Sequence, residues 1–591
     1  MATHERETGL ITPYGGKLVN LVVSAADRAT LIEKAKHLPS VQISARSMCD
    51  LELLAVGAFS PLDRFLTEKD YRSVLASMRL ADGVLFPIPL TLPVESADGL
   101  EIGRELVLRS PTNEMLAVMK LEGVYPWDLE EEATAVLGTT DSRHPLVSEM
   151  HTWGRWCLSG PLTVFNLPRH RDLPDLRKTP AEVRSMLVAM GRENVVAYQP
   201  RHPMHRAHEA FTKEAALQID GSLLIHPVVG FTSRGEDVEN YTRIRCYKTL
   251  IENYYDSGRT VLNVIPLAVR MAGPRAGLWH GIINRNYGVN HLIVGRDPHS
   301  LSVGSHKTAF YDSRDVQQLF LQLESEIGVR MIKHKEMVYL PQSKQYEESG
   351  TVARGMDEYI RVSATTVIED SLFRGTQLPE WFTHPEISQI LFDANPPKHR
   401  QGFCVWLTGL PSSGKSTIAE TLLPMLMAKG RKVTFLDGDV VRTHLTKGLG
   451  FGKEDRTTNI LRVGFVASEV VRHEGVAICA LISPYAHARD QARAMVGRER
   501  FIEVFVDTSV SLCEQRDVKG MYTQAKRGEI KGFTGVDDVY EPPRSPDLRI
   551  NTASMTPDES ARLIIGELVQ RGFIAQERRR EPKGLPIGAA A

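Results

Sequence analysis

The segment Gly409-Leu-Pro-Ser-Ser-Gly414-Lys415-Ser416 narrows what this 591-residue chain can fold into more than any other. It has the spacing GxxxxGK[ST], an apolar run before it and a helical pattern from Thr417, the strand, loop and helix order of a phosphate-binding loop. Glycine lets the backbone wrap a phosphate, N–H groups at the helix start point at the anion, Lys415 brings positive charge and Ser416 can ligate Mg²⁺. Gly409, Ser412, Ser413, Gly414, Lys415, Ser416 and Thr417 are therefore expected around the phosphates of ATP. A plain glycine-rich turn is the competing reading, and it leaves the flanking strand and helix unexplained.

Such a loop sits in a parallel sheet. The runs Phe403-Cys-Val-Trp-Leu407, Val433-Thr-Phe-Leu436, Val476-Ala-Ile-Cys-Ala-Leu-Ile482 and Phe501-Ile-Glu-Val-Phe-Val506 supply its strands, with helix-length stretches between them. A polar, Pro-containing stretch over 395–402 precedes them as a linker. A second series of the same texture lies upstream: Val195-Val-Ala-Tyr198, Ser222-Leu-Leu-Ile-His-Pro-Val-Val229, Val261-Leu-Asn-Val-Ile265 and His291-Leu-Ile-Val294. The first 165 residues differ, with short apolar runs such as Val84-Leu-Phe-Pro-Ile-Pro-Leu-Thr-Leu92 among frequent Gly and Pro, and they predict a strand-rich domain with tight turns.

Charge enters where anions do. Lys and Arg number 71 against 72 Asp and Glu, a net charge of −1, so no global field draws the chain to nucleic acid or an anionic membrane. Any anion must be held by local groups. Cys49, Cys157, Cys246, Cys404, Cys479 and Cys513 form no CxxC pair, which argues against a disulfide framework or zinc ribbon and for a reducing compartment. The N-terminus is too charged for a signal peptide and no apolar run reaches about 18 residues, so a soluble, cytoplasmic protein is expected.

The run at 433–436 leads into Asp437-Gly-Asp439, two carboxylates at the carboxyl end of a sheet, where open α/β folds bind ligands. One can reach Mg²⁺ or orient an attacking hydroxyl, and capping of the next helix competes for Asp437. Together with the phosphate loop, Leu436-Asp-Gly-Asp-Val-Val-Arg442, Leu449-Gly-Phe-Gly-Lys-Glu-Asp-Arg-Thr-Thr-Asn459, Ile482-Ser-Pro-Tyr485, Arg516-Asp-Val-Lys-Gly-Met-Tyr522 and Gly532-Phe-Thr-Gly-Val-Asp537 resemble adenylylsulfate kinase over about residues 402–573. The resemblance implies transfer of the γ-phosphoryl of ATP to the 3′-hydroxyl of adenosine 5′-phosphosulfate (APS), giving PAPS and ADP. It implies that Arg442, Arg456, Asn459 and Lys519 hold the phosphosulfate and ribose, that Phe451 and Phe533 sandwich the adenine, and that Asp439 sits near the 3′-hydroxyl. Ser483 aligns with a serine that some members carry phosphorylated and is expected to line the substrate. Guanidinium and ammonium groups suit a dianion and aromatic faces suit a purine, so catalysis would rest on positioning and charge neutralisation.

In the upstream series, Gln199-Pro-Arg-His-Pro-Met-His-Arg-Ala-His208-Glu209 follows the first strand. His205 and His208 share a face on a helix, and at its start they would flank bound phosphate and stabilise charge on phosphorus and on leaving pyrophosphate. A metal pair completed by Glu209 and an inert surface helix are the alternatives. Leu10-Ile-Thr-Pro-Tyr-Gly-Gly-Lys-Leu-Val-Asn20, Cys49-Asp-Leu-Glu-Leu-Leu54, Phe59-Ser-Pro-Leu62, Leu223-Leu-Ile-His-Pro-Val-Val-Gly230, Met271-Ala-Gly-Pro-Arg275 and Val294-Gly-Arg-Asp297 extend a resemblance to ATP sulfurylase (sulfate adenylyltransferase) over about residues 8–390. The resemblance implies in-line attack of a sulfate oxygen on the α-phosphorus of ATP. Gln199 and Arg201 would bind sulfate, His205 and His208 the phosphates and transition state, and Arg296 the nucleotide phosphates, with His202 and Asp297 also lining substrate.

Some segments depart from that family's pattern. Gln199-Pro-Arg-His-Pro203 stands for QTRNP, Gly295-Arg-Asp-Pro-His-Ser-Leu-Ser-Val-Gly304 for GRDHAGxG, and Val362-Ser-Ala-Thr-Thr-Val367 for an SGTxxR-like stretch. Three readings stay open: a bifunctional PAPS synthetase, an active APS kinase with a regulatory sulfurylase-like half, and a nucleotidyltransferase acting on another oxyanion. The implied fold is α/β multidomain. It comprises a β-rich PUA-like domain over 1–165, a Rossmann-like HxxH nucleotidyltransferase domain with a small C-terminal subdomain over 166–395, a linker over 396–402, a P-loop NTPase-fold kinase domain over 403–575 and a flexible tail over 576–591. Mg²⁺ with ATP is the implied cofactor. ATP, sulfate, APS and pyrophosphate are the implied partners, without nucleic acid or membrane, in a homo-oligomer that family analogy makes a dimer.

Overall fold

Strands that are largely apolar can be buried on both faces, and the central strands of two parallel sheets are built that way. The computed structural model describes residues 9–575 apart from 142–143, 171, 231–239, 296–301, 304–307, 335, 353–358, 362–366, 368–370, 372–375 and 395. The chain divides into two units, Met1–Ile368 with Leu378–Ala394, and Glu369–Gln377 with Asn395–Ala591.

In the first unit, β1 (Val195–Tyr198), β2 (Ser222–Ile225), β3 (Thr260–Leu262), β4 (His291–Val294) and β5 (Arg330–Lys333) pair in the order β3-β2-β1-β4-β5, all parallel. The winding reverses between β1 and β4, so the loops leaving them diverge and open a crevice at the carboxyl edge. Helices α1 (Arg206–Gln218), α2 (Asn240–Tyr254), α3 (Pro274–Asn286) and α4 (Ser313–Ile327) connect the strands. The apolar run from Ser222 continues to Val229, yet β2 stops at Ile225 because Pro227 offers no N–H to a ladder.

The N-terminal region of this unit carries a four-stranded sheet in the order Ser40–Gln42, Glu105–Arg109, Met115–Lys120, Leu162–Val164. A three-stranded sheet of Pro93–Val94, Trp156–Ser159 and Gly123–Pro126 accompanies it. Helices Ala25–Ala35, Ala45–Ala55 and Glu68–Ser77 make the region mixed. Residues 84–92 are largely buried without forming a strand, since Pro87 and Pro89 cannot donate. Instead Phe86 N–H bonds the Met78 carbonyl at 2.8 Å and the Leu90 carbonyl accepts from Leu66 N–H at 2.9 Å.

One apolar core runs without a break from Leu10, Tyr14 and Phe59 to Trp279, Ile283 and Phe320, joining the N-terminal region to the parallel sheet. Polar links cross the same seam. Arg270 Nη2 meets Asp50 Oδ2 at 2.5 Å with both side chains buried, and Arg46, paired with Glu149 at 2.5 Å, also donates to the Val269 carbonyl at 3.2 Å. Asn286 accepts from Tyr14 N–H at 2.9 Å and donates to the carbonyls of Ala58 at 3.0 Å and Ser60 at 3.1 Å.

The second unit holds β6 (Phe403–Thr408), β7 (Val433–Asp437), β8 (Val476–Ala480), β9 (Phe501–Val506) and β10 (Leu548–Ile550), parallel in the order β7-β8-β6-β9-β10. Every residue of β6 and β9 is buried. The stretch before β6 is packed against this unit. Arg431 donates to the carbonyls of His399 and Gln401, and to those of Phe573 at 3.3 Å and Glu474 at 3.4 Å, while lying 5.2 Å from the Phe403 ring centre.

Removing one partner of a buried ion pair leaves the other desolvated and uncompensated. Asp50→Ala is expected to destabilise the first unit by about 3–5 kcal/mol, read as a lower urea midpoint for that unit, and a loss below about 1 kcal/mol would show that Asp50 does not support Arg270.

Candidate active sites

The phosphate loop joins β6 to α5 (Lys415–Ala428). Gly414 caps the helix with φ +104°, and a side chain on Gly409 would lie 2.6 Å from the Val506 carbonyl, so both positions require glycine. Ser412 also takes a left-handed φ of +58°. Ser413 is buried, and its carbonyl accepts from Thr508 Oγ1 at 3.1 Å and Thr552 Oγ1 at 3.0 Å, which fixes the loop against the sheet. Lys415 Nζ turns back on its own loop, to the carbonyls of Gly409 at 3.0 Å and Leu410 at 2.7 Å. Burial pulls its pKa down to about 8, against the opposing influence of Cys513 and Asp437. An arriving phosphate offers that ammonium a stronger partner than two carbonyls.

Asp437 performs both roles weighed for it. Its Oδ1 accepts from Asp439 N–H at 3.0 Å, capping α6 (Gly438–His444), and its Oδ2 accepts from Ser416 Oγ at 2.7 Å. A hydroxyl and a carboxylate thus meet beside the phosphate loop, a hard-oxygen pair that suits Mg²⁺. Asp439 itself pairs with Lys519, both largely exposed.

On the other side of this edge, Arg442 lies 4.1 Å from the Phe451 ring centre, and burial lowers its pKa, as does the charge of Arg456. Arg456 donates to the carbonyls of Phe451 at 2.7 Å and Gly532, to Thr534 Oγ1 and to Asp538 Oδ2 at 2.9 Å. Asn459 is buried and accepts from Thr446 Oγ1 at 2.7 Å. The two expected stacking rings differ: Phe533 is 4% exposed, edge-on to Tyr522, whereas Phe451 is 57% exposed. Ser483 departs from its expected place. Its hydroxyl is buried, accepts from Trp406 Nε1 at 3.1 Å and donates to Thr408 Oγ1 at 3.0 Å, so it braces the β6 and β8 ends beneath the surface. Its φ of +41° is strained for a serine, a conformation kept only where surroundings enforce it.

In the first unit, Gln199 to His205 form the loop from β1 to α1, with His205 as the N-cap. His205 N–H donates to His208 Nδ1 at 3.3 Å, and the two rings lie 3.8 Å apart. An accepting Nδ1 leaves the ring proton of His208 on Nε2, a neutral donor. Phe382 lies 4.8 Å from His205, and Tyr198 and Phe211 lie 5.8 Å and 5.7 Å from His208. Burial among these rings lowers the His205 pKa to about 3, with His334 adding to the effect, and drives His208 well below the usual range. Gln199 Nε2 and His205 Nδ1 are buried with no hydrogen-bond partner among the described residues. Such orphaned polar atoms are costly unless a ligand answers them.

The loop backbone is held from α2: Arg243 Nη1 donates to the Arg201 carbonyl at 2.8 Å and Tyr247 OH to the His202 carbonyl at 2.7 Å. His202 is exposed, and Arg296 and Asp297 lie outside the described residues. Glu209 is committed elsewhere, to Lys213 at 2.6 Å and His384 at 2.7 Å. Among the described residues no group of three His, Cys, Asp or Glu is arranged to hold a metal. His334, 6.1 Å from His208, and the buried His280, whose pKa burial and then the charge of Arg201 lower to about 3, were not signalled by any local motif. Only the fold brings them to this edge.

The imidazole pKa shift has a sign. Unfolded, His205 takes a proton near pH 6.5; folded, it refuses one until about pH 3. The unfolded state therefore binds more protons between those values, and the first unit is expected to lose stability as pH falls through that window. Urea midpoints measured against pH should show a shallower decline in His205→Gln than in the unaltered chain.

Three family models match in order: PUA-like domain over residues 11–167, ATP-sulfurylase over 174–394 and adenylylsulphate kinase over 401–551. The sulfate adenylyltransferase of Phaeosphaeria nodorum is 40% identical over 573 residues, covering 95% of this chain and 99% of that protein. That of Coccidioides immitis is 40% identical over 571 residues, with 95% and 99% covered. Among solved structures, the hexameric APS kinase from Thiobacillus denitrificans superposes with a TM-score of 0.77 at 32% identity, covering 96% of this chain and 100% of that one.

Proposed function

Because the chain belongs to the bifunctional ATP sulfurylase and APS kinase family, with the sulfurylase region first, we propose that its two carboxyl edges act in succession on one sulfate. The chain activates sulfate in two steps: ATP and sulfate give APS and pyrophosphate, and APS with a second ATP gives PAPS and ADP. The single observation that carries the first step is the close His205–His208 ring pair at the start of α1, in a loop whose Gln199 Nε2 and His205 Nδ1 are buried with no hydrogen-bond partner among the described residues. The family models support an order of regions, and boundaries at 165/166, 395/396 and 402/403 are proposed within it.

In the sulfurylase region, sulfate binds against Gln199 and Arg201, and His202 lines the entrance. The Nε2–H of His208 donates to phosphate oxygens, while His205 takes up a phosphate contact through its buried Nδ1. Charge developing on the α-phosphorus and on departing pyrophosphate raises the proton affinity of both rings, so imidazoles that are neutral when empty strengthen their donation as the reaction proceeds. No protein nucleophile is needed, and orientation supplies most of the rate. Arg296 and Asp297 are proposed to complete the nucleotide side.

In the kinase region, the backbone from Gly409 to Thr417 cradles the ATP phosphates and Lys415 leaves its carbonyls for them. ATP-using regions of this kind call for a divalent cation; Mg²⁺ is proposed, held by Ser416 with Asp437 behind it, where it would neutralise phosphate charge. APS lies between Phe451 and Phe533 with Arg442, Arg456, Asn459 and Lys519 around its anionic groups. Asp439, released from Lys519, orients the 3′-hydroxyl. Transfer then proceeds by positioning and charge neutralisation.

A cytoplasmic location is proposed, supported by six cysteines that form no CxxC pair, two of which, Cys404 and Cys479, hold their sulfurs 3.8 Å apart, well beyond a disulfide bond. Among the described residues no helix is long and apolar enough to cross a membrane. A homo-oligomer is proposed, supported by the whole-length likeness to a protein described as hexameric, and light scattering distinguishes a dimer from a hexamer.

Sulfate-dependent pyrophosphate release from MgATP tests the first step. Lys415→Ala is expected to abolish APS phosphorylation and retain the release, and His205→Ala to cut the release by about 10²–10³-fold while APS is still phosphorylated. An unaltered chain that phosphorylates APS but releases no pyrophosphate with sulfate would favour the regulatory-half reading, and release with another oxyanion in its place the third.

A further inference from the structure

The 532–541 loop, which carries Phe533, is fastened by two arginines. Arg456 holds its beginning through Gly532, Thr534 and Asp538. Its end is held by Arg489, on α8 (Ala486–Val496, with α7 being Lys453–Arg472), a side chain that is 2% exposed and belongs to none of the groups placed around APS. Arg489 Nη2 donates to the Glu541 carbonyl at 2.7 Å, Nη1 to the Ser483 carbonyl at 2.6 Å and Nε to Glu503 Oε1 at 3.0 Å. One planar fork therefore ties the strained residue at the exit of β8, the end of the Phe533 loop and a carboxylate on β9.

Further bonds stitch the two tied segments together. Glu541 N–H donates to the Pro484 carbonyl at 2.8 Å, and Glu541 Oε2 accepts from Ala486 N–H at 2.8 Å. Tyr485 OH donates to Asp538 Oδ2 at 3.0 Å, the oxygen that also receives Arg456. The buried fork is thus connected, through Tyr485 and Asp538, to a guanidinium placed on the substrate.

We propose that Arg489 is a positioning residue for the APS side of the kinase, clamping the 483–486 turn to the end of the 532–541 loop so that Phe533 and Arg456 meet the substrate in fixed register. The inference rests on the kinase reading above and adds to it a residue that never touches APS. Glu503 keeps the buried guanidinium charge-compensated, and it also receives Arg493 Nη2 at 3.0 Å. Lysine cannot replace this fork, because a single ammonium on a flexible stem does not span three acceptors that meet three different guanidinium nitrogens.

Arg489→Lys keeps the charge that Glu503 requires and gives up the clamp. It is expected to raise KM for APS by about tenfold or more, with kcat reduced less than about threefold and KM for ATP within about twofold. Sulfate-dependent pyrophosphate release by the other region of the same chain should be unchanged. A KM for APS within about twofold of the unaltered chain overturns the inference, as does a parallel rise for APS and ATP, which would mark general loosening. Should the lysine variant fail to fold, Glu503→Gln keeps an acceptor while removing its charge; a rise of about threefold in KM for APS alone supports the clamp, and no change overturns it. Failure of the kinase reading gives a different result: the unaltered chain would not phosphorylate APS. Calorimetric APS binding by both forms would then decide the clamp, with equal affinity overturning it.

Discussion

A parallel sheet covered on both faces leaves its chemistry one exit, the carboxyl edge, and both units obey that constraint. The interiors of β6 and β9 have no exposed position at which a charged group could serve a substrate. Loops that leave the strands are where N–H groups are free and where polar side chains can reach solvent. The HxxH loop leaves β1, the phosphate loop leaves β6, Asp437 ends β7 with Asp439 just beyond it, and Ser483 follows β8. Everything assigned to substrate in this chain depends on how rigidly those exits are held. Much of the polar network therefore serves position: Arg243 and Tyr247 under the HxxH loop, Thr508 and Thr552 behind the phosphate loop, Arg489 under the Phe533 loop.

The sites also share a way of waiting. Each cation meant for an anion finds an interim partner, an obligation for the buried Lys415 and a looser pairing for the exposed Lys519. Lys415 lies on its own loop carbonyls, Lys519 on Asp439, and Arg442 over the face of Phe451. The HxxH imidazoles are neutral instead, because their hydrophobic surroundings expel the proton. An overall charge of −1 is compatible with three anionic substrates because positive charge is kept in small, internally balanced groups.

The sequence made the sheets legible because buried parallel strands are continuous apolar runs. Val195-Val-Ala-Tyr198, His291-Leu-Ile-Val294 and Phe501-Ile-Glu-Val-Phe-Val506 match β1, β4 and β9 residue for residue. Prolines hid the rest: the apolar stretch over 84–92 satisfies its backbone outside any strand, and β2 ends before Pro227. Motif residues were legible as chemical types, but their partners were not. Nothing near His208 in the sequence announces His334, nothing near Glu209 announces His384, and nothing near Phe533 announces Arg489. A serine in a substrate-side motif can equally be a buried strut, and only Trp406 and Thr408 beside Ser483 reveal which it is.

Arg431 bears on how the chain divides into pieces. Two of its four carbonyl partners, His399 and Gln401, precede β6, and the other two, Glu474 and Phe573, belong to the body of the kinase unit. A fragment begun at Phe403 would lose the first two, and with them two of the four hydrogen bonds of a half-buried guanidinium. For expressing the kinase alone, or for transplanting it behind another enzyme, the linker over 396–402 therefore travels with the module, because its carbonyls complete the bonds that Arg431 makes.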